Sequence, residues 1–211
     1  MINIELLEMS GIGSAIKGMR NPMNSWDKCD SYYVWPDDTE FHIGPNDHDL
    51  MMKLRNAGTD HRKFMRMIVV YANITAPLYW WKEFETYKVG TVANSCSTMH
   101  KIADKEFTLD DFSHEHLNKE TLIKLQEVIE YLNISRDCFR SDSSRKDYWW
   151  QMIQLLPSSY NQRRTVMMNY EVLANMYESR KNHKLDEWRD FCKWAETLPH
   201  SELITGETKN E

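Results

Sequence analysis

The chain has 211 residues, 41% of them apolar and 12% aromatic, enough for a sizeable core within one domain and too apolar for a disordered chain. A formal charge of -6 argues against a general binder of nucleic-acid backbone, which needs a basic excess. Four scattered cysteines without a CxxC pair exclude a zinc knuckle or a dense disulfide framework. No apolar run nears the roughly 18 residues of a membrane span, and no basic-then-apolar leader opens the chain. A reduced, cytoplasmic protein that binds neither nucleic acid nor membrane is therefore expected.

Residues 2 to 7, INIELL, suit a short first strand or helix. The small residues and Pro of SGIGSAIKGMRNPMNS, followed by SYYVWPDD, read as an irregular lobe around one short helix near Gly13 to Met19. In GPNDHDLMMKLRNAG, Pro45 opens, Leu50, Met51 and Leu54 recur at helical spacing, and Gly58 stops, predicting a helix over 46–57. Met67 to Asn73 is β-branched and aromatic, predicting a buried strand that passes directly into a helix over 76–87, which begins near Pro77. Thr108 before Asp111 and Asn118 before Leu122, Leu125, Ile129 and Leu132 are two capping signals, the second opening an amphipathic helix. A helix from Asp147 to Leu156 ends at Pro157. After a polar break, SSYNQRR, a helix is expected from Thr165 to Ser179, then one from Lys184 to Glu196. The charged tail, 205–211, is expected to fray from a single domain over 1–204.

The eight histidines form no HxxxH or HExxH pair, and GxSxG and P-loop motifs are absent, so metal and hydrolase chemistry have no support. Trp80, Trp81, Trp149 and Trp150 suit either a planar ligand or the core, with packing the simpler reading. Lys88, Arg163, Arg164 and Arg180 are candidate phosphate cations. Asn169, Asn175 and Arg180 fall at spacings of six and five on one expected helix among Val172, Leu173 and Met176. Asparagine is a poor helix former, so two of them point to a use for side-chain amides.

Over residues 45 to 200 the element order resembles the flavin-dependent thymidylate synthases, the ThyX family, whose motif is RHRxxSxNExSxRY. Gly58 and His61 precede MIVVYAN, ITAPLYWWKEF follows, and TYKVGTVANSCSTMH occupies the motif position. Thr86, Tyr87 and Lys88 stand for Arg-His-Arg, and Thr91 for the first Ser. With one inserted residue Asn94 and Ser97 are kept, while Ser95, Met99 and His100 replace Glu, Arg and Tyr. Glu83 stands at the family's Gln. Further on, LLPSSYNQRRTVMMNYEVLANMYESRKNHKLDEWRDF is similar to the family's LP segment and NxRxLxxFLxxRxxxxAQxEI. It matches at Leu156, Pro157, Asn169, Asn175 and Arg180, and at His183 and Glu187 after a one-residue deletion. Glu171 and Ile153 replace family arginines.

The resemblance implies an α/β fold with a small antiparallel sheet flanked by helices, and a homotetramer. It implies FAD as cofactor, with NADPH and methylenetetrahydrofolate as co-substrates. His61, Lys88, Asn169, Asn175 and His183 would contact the cofactor; Glu83, Asn94, Ser97 and Arg180 would contact a pyrimidine nucleotide, Arg180 also serving catalysis. The implied activity is one-carbon and hydride transfer to C5 of a dUMP-like nucleotide, with no cysteine nucleophile. The alternative is an inactive scaffold that binds a nucleotide or a protein partner. Losing arginines at 99 and 153 removes charge-assisted bonds of about 1.5–3 kcal/mol each, unless Lys88, Arg163 or Arg164 substitutes.

Overall fold

A computed structural model describes residues 2–34 and 41–206; the end of SYYVWPDD and the last five residues of the expected tail lie outside them. The chain is an α/β fold with a small antiparallel sheet flanked by helices. In order come β1 (Asn3–Ser10), α1 (Ile12–Arg20), β2 (Tyr32–Tyr33), β3 (Phe41–His42), α2 (Pro45–Asn56), β4 (Val69–Pro77) and α3 (Leu78–Phe84). They are followed by β5 (Thr91–Ser95), α4 (Lys119–Ser141), α5 (Lys146–Leu155), β6 (Asn161–Asn169), α6 (Tyr170–Arg180), α7 (Asp186–Glu196) and α8 (Glu202–Thr205). The main sheet has the order β1-β4-β6-β5, and β2 pairs with β3 as an antiparallel ribbon.

Compact packing divides the residues into two units. One comprises Met1–Asn3, Ile74–Thr86 and Asn94–Thr165; the other comprises Ile4–Asn73, Tyr87–Ala93 and Val166–Glu211. The core of the first is a cluster of Ile102, Phe107, Phe112, Leu125, Ile129, Leu132 and Met152, contributed largely by α4 and α5. Trp80, Trp81 and Phe84 are buried on α3, with the two indoles edge to face at 4.9 Å and the Trp81 Nε1 donating to the Gln162 carbonyl. Packing thus accounts for this tryptophan pair. Asn118 caps α4 as its position indicated, accepting from the Thr121 N–H at 2.9 Å.

In the second unit the N-terminal lobe is tied together by one carboxylate. Asp47, fully buried on α2, accepts from Arg20 Nε at 2.6 Å, Ser31 Oγ at 2.7 Å, the Cys29 thiol at 3.2 Å and the Asp30 and Ser31 N–H groups at 3.0 Å. Polar bonds thus fix the segment of irregular composition to α2, beside the apolar burial of Ala15, Ile16 and Met19 on α1. Both Arg20 and Asp47 are almost free of solvent contact, so each needs the other.

Most expected elements are present, with the first segment a strand and the 46–57 helix one residue earlier. The helix expected over 165–179 is a correction. Asn161–Asn169 is strand β6, and only from Tyr170 is the chain helical. Burial alternates along β6, with Gln162, Val166 and Met168 inward, the two-residue period of a strand. The supposed polar break, with Asn161, Gln162, Arg163 and Arg164, is the first half of this strand, and Thr165 and Val166 continue it with β-branched side chains. Strand β5 was also not expected, its apolar residue Val92 being 61% exposed and so giving no burial pattern.

Burial disfavours the charged Asp47, but bonds from Ser31, Arg20, Cys29 and the Asp30 N–H outweigh it and bring its pKa down to about 2. A lowered carboxylate pKa stabilises the fold above the unfolded value near 3.8 and loses that stabilisation as pH falls through about 2. The linked contribution is about 2 kcal/mol. Asp47→Asn should lower stability in urea titrations at neutral pH by about 3–5 kcal/mol, because it leaves the Arg20 charge buried and unpaired. It should also flatten the pH dependence between 4 and 2.

Candidate functional site

The junction of β6 and α6 organises the site residues of the second unit. Asn169 ends the strand in extended backbone, and its Oδ1 accepts the Val172 N–H at 2.9 Å, capping α6. The sequence reading placed Asn169 inside a helix; it is the residue that starts one. Its N–H bonds the Gly90 carbonyl at 3.2 Å, so the turn carrying Lys88 lies against the start of α6. Gly90 has φ +90, and a Cβ there would come within 2.6 Å of Asn169 Nδ2. Only glycine meets both conditions. Lys88 is exposed on the approach to this turn.

One turn into α6, Glu171 is buried, and its carboxylate pairs with Arg66 and lies 3.6 Å from Arg62 Nε. Arg62 Nη2 donates to Asn175 Oδ1 at 2.7 Å. The Arg62 guanidinium thus joins Asn175 to the first turn of α6, while His61, next in sequence, lines a cavity with Met19, Leu50 and Phe64. The Arg62 side chain is only 15% exposed, and its buried Nε has no hydrogen-bond partner. That Nε faces the Glu171 carboxylate at ion-pair distance.

At the other end of α6, Arg180 donates from Nε to Tyr87 Oη at 2.9 Å, and its guanidinium carbon lies 4.9 Å from the centre of the buried Trp188 ring. Tyr87 stands edge-on to Trp188 at 5.9 Å. His183 follows, its N–H on the Arg180 carbonyl at 2.9 Å and its ring 6.4 Å from Trp188. Its Nδ1 accepts the Leu185 N–H at 3.2 Å, so in the neutral ring Nε2 carries the proton. Arg180 is thus held in one orientation by a hydroxyl and an aromatic face before any ligand arrives.

The first unit holds the other three candidates. Glu83 lies on α3, Asn94 is exposed on β5, and Ser97 follows that strand. Ser97 Oγ accepts from the His100 N–H at 3.0 Å, fixing the turn of Met99 and His100. Ser97 also lines a polar cavity of about 500 Å³ with Cys96, Thr98, Lys101 and Arg163. Arg164 is committed to structure: it lies 4.3 Å over the Trp81 ring and donates to Glu85 at 2.9 Å and Gln162 at 3.0 Å. Ile153 packs on the α4–α5 core. No group of three or more His, Cys, Asp or Glu side chains able to hold a metal occurs among the described residues.

The sequence reading passed over Arg62, Arg66 and Trp188, and took Tyr87 only as a substitute for a motif histidine. A signal was present: Arg62 and Arg66 are four apart on a basic segment, while Glu171 stands in the apolar run YEVLANM, where a lone carboxylate needs a cation from elsewhere.

With this geometry in view, the fold is similar to solved structures of ThyX. One is thymidylate synthase X from Helicobacter pylori with FAD and dUMP, with a TM-score of 0.68 and 16% identity over 98% of both chains. Another, the flavin-dependent thymidylate synthase from the same organism complexed with FAD and dUMP, gives 0.67 and 16% identity over 97% of this chain and 98% of the other. No protein-family model and no curated protein matches the sequence. At this identity the likeness defines a ThyX-like fold, and the ligands must be argued from the residues.

Gly90→Ala should destabilise the protein by about 1–3 kcal/mol in thermal or urea denaturation, because it sets left-handed backbone strain beside a steric clash with the α6 cap. An unchanged melting temperature would contradict the role given to the Gly90–Asn169 contact.

Proposed function

We propose that this chain is a divergent flavin-dependent enzyme that acts at C5 of a pyrimidine nucleotide of the dUMP kind. The observation that carries the reading is Arg62, a largely buried guanidinium that donates to Asn175 from Nη2 and pairs with Glu171 through Nε. Glu171 stands where the ThyX resemblance has arginine, yet Arg62 and Arg66 around it give two positive charges against one negative. Asp60 also acts on Arg66. Two guanidiniums thus stand around the position of the missing arginine, which supports an anionic ligand such as the FAD diphosphate. The residues present therefore fit a flavin.

Arg62 and Lys88 would hold cofactor phosphate, and the Asn169 and Asn175 amides would fix the cofactor's polar edges, with His61 and His183 beside them. Arg180, already oriented by Tyr87 and Trp188, would offer directed donors to the pyrimidine. Glu83, Asn94 and Ser97 supply the acceptor and donor groups expected around the nucleotide. Bound flavin would supply the hydride, with methylenetetrahydrofolate giving the carbon and NADPH the electrons. A homotetramer of single-domain chains in the cytoplasm belongs to the same proposal.

A second reading, a scaffold without catalysis, is favoured by one observation. In the first unit Arg164 is spent on Trp81, Glu85 and Gln162, and positions 99 and 153 are Met and Ile. That leaves fewer cations for a phosphate dianion than the resemblance requires.

The purified protein should show yellow flavin absorption, or acquire it with added FAD, and Arg62→Ala or Asn175→Ala should weaken FAD uptake about tenfold or more. dUMP should raise the melting temperature of the loaded protein, and Arg180→Ala should abolish that rise. A colourless protein that takes up no FAD would sink the flavin reading. Flavin uptake without any nucleotide response would favour the scaffold.

A further inference from the structure

We propose that a groove over α4 and α5, apart from the residues given to flavin and nucleotide above, binds a small planar aromatic anion. The cavity measures about 560 Å³, within the range of small-molecule sites, and is walled by Met99, Phe139, Trp149 and Trp150 with Lys146 and His100 contributing polar groups. The two indoles stand edge to face, with centroids 4.8 Å apart and planes at 73°. Trp149 is fixed, its Nε1 donating to the Met99 carbonyl at 3.1 Å. Trp150 is 49% exposed and Met99 46%, so apolar faces remain open around a fixed indole. Stacking on such faces favours a flat π-system, and the polarisable methionine adapts to its edge.

The charge selects the ligand further. The protein carries -6 overall, yet no carboxylate lines this cavity, while Lys146 does. Lys146 makes no ion pair among the described residues; the nearby Asp147 is taken by Arg145 at 2.9 Å. Lys146 is also the first residue of the ten-residue α5, whose amino end adds partial positive charge. An aromatic ring with an acidic substituent satisfies both the indole faces and the ammonium. A carboxylate on a simple ring and the phosphate of a nucleotide both supply that acid, and the two arms of the titration separate them.

Titration of the full chain with 4-nitrobenzoate, followed by tryptophan quenching, tests this. Binding should saturate and be about tenfold or more tighter than for the neutral 4-nitrobenzamide. Lys146→Ala should erase that preference, and Trp150→Ala should weaken both compounds about tenfold. UMP against uridine forms the second arm: the tighter of UMP and 4-nitrobenzoate identifies the source of the acid. Arg180→Ala should leave the 4-nitrobenzoate titration unchanged, so failure of the nucleotide reading above leaves this one standing. Non-saturating quenching, equal affinity for acid and amide, or insensitivity to Lys146→Ala would overturn it. Self-association of the chain abolished by Trp150→Glu would do so too, since a second copy would then cover the groove.

Discussion

Everything the second unit offers chemically depends on one side-chain amide. Asn169 is the last residue of a strand, and its Oδ1 takes the place of the carbonyl that the first turn of α6 lacks. Had the helix begun five residues earlier, as the composition of the segment allows, each later residue would face a different direction, because every residue advances the helix by about 100°. The cap therefore fixes the faces on which Glu171, Asn175 and Arg180 lie. The same residue rests against Gly90, so the turn with Tyr87 and Lys88 is set from the same point.

Around that frame the electrostatics are redistributed rather than lost. Glu171 in an apolar helix face is tolerable only because two guanidiniums from a preceding segment meet it. Arg180 is oriented by the Tyr87 hydroxyl and the Trp188 ring among its contacts. In the first unit the balance runs the other way, with Arg164 drawn into packing and Ile153 into the core. The two groups of candidate residues thus differ physically: one is set around Arg62 and Arg180 on the face of α6, and the other around a polar cavity that Ser97 shares with Lys101 and Arg163.

What was legible in the sequence follows from what leaves a local trace. Pro45, Asn118 and the β-branched MIVV run each act within a few residues, and each marks its element correctly. The passage from β6 to α6 was misread because MMNYEVL suits either period, and only pairing in the sheet decides for a strand. Asn175 and Arg180 could be singled out as unusual residues on a helix. Their partners Arg62, Tyr87 and Trp188 lie far away in sequence, and no local pattern connects them. The buried role of Asp47 was equally invisible, since its five donors come from residues 20 to 31, where composition suggested only loop.

The division of the chain has a consequence for how it folds. Each compact unit is assembled from three separated stretches of sequence, and neither corresponds to a continuous piece that could be cut out. The last stretch of the second unit begins at Val166, so that unit cannot close until most of the first has been synthesised. Contacts of such long sequence separation are slow to form, since their loops must close before burial repays the lost entropy. During synthesis the second unit therefore waits for its last stretch, whereas the cluster from Ile102 to Met152 lies within one continuous stretch of the first and can gather earlier.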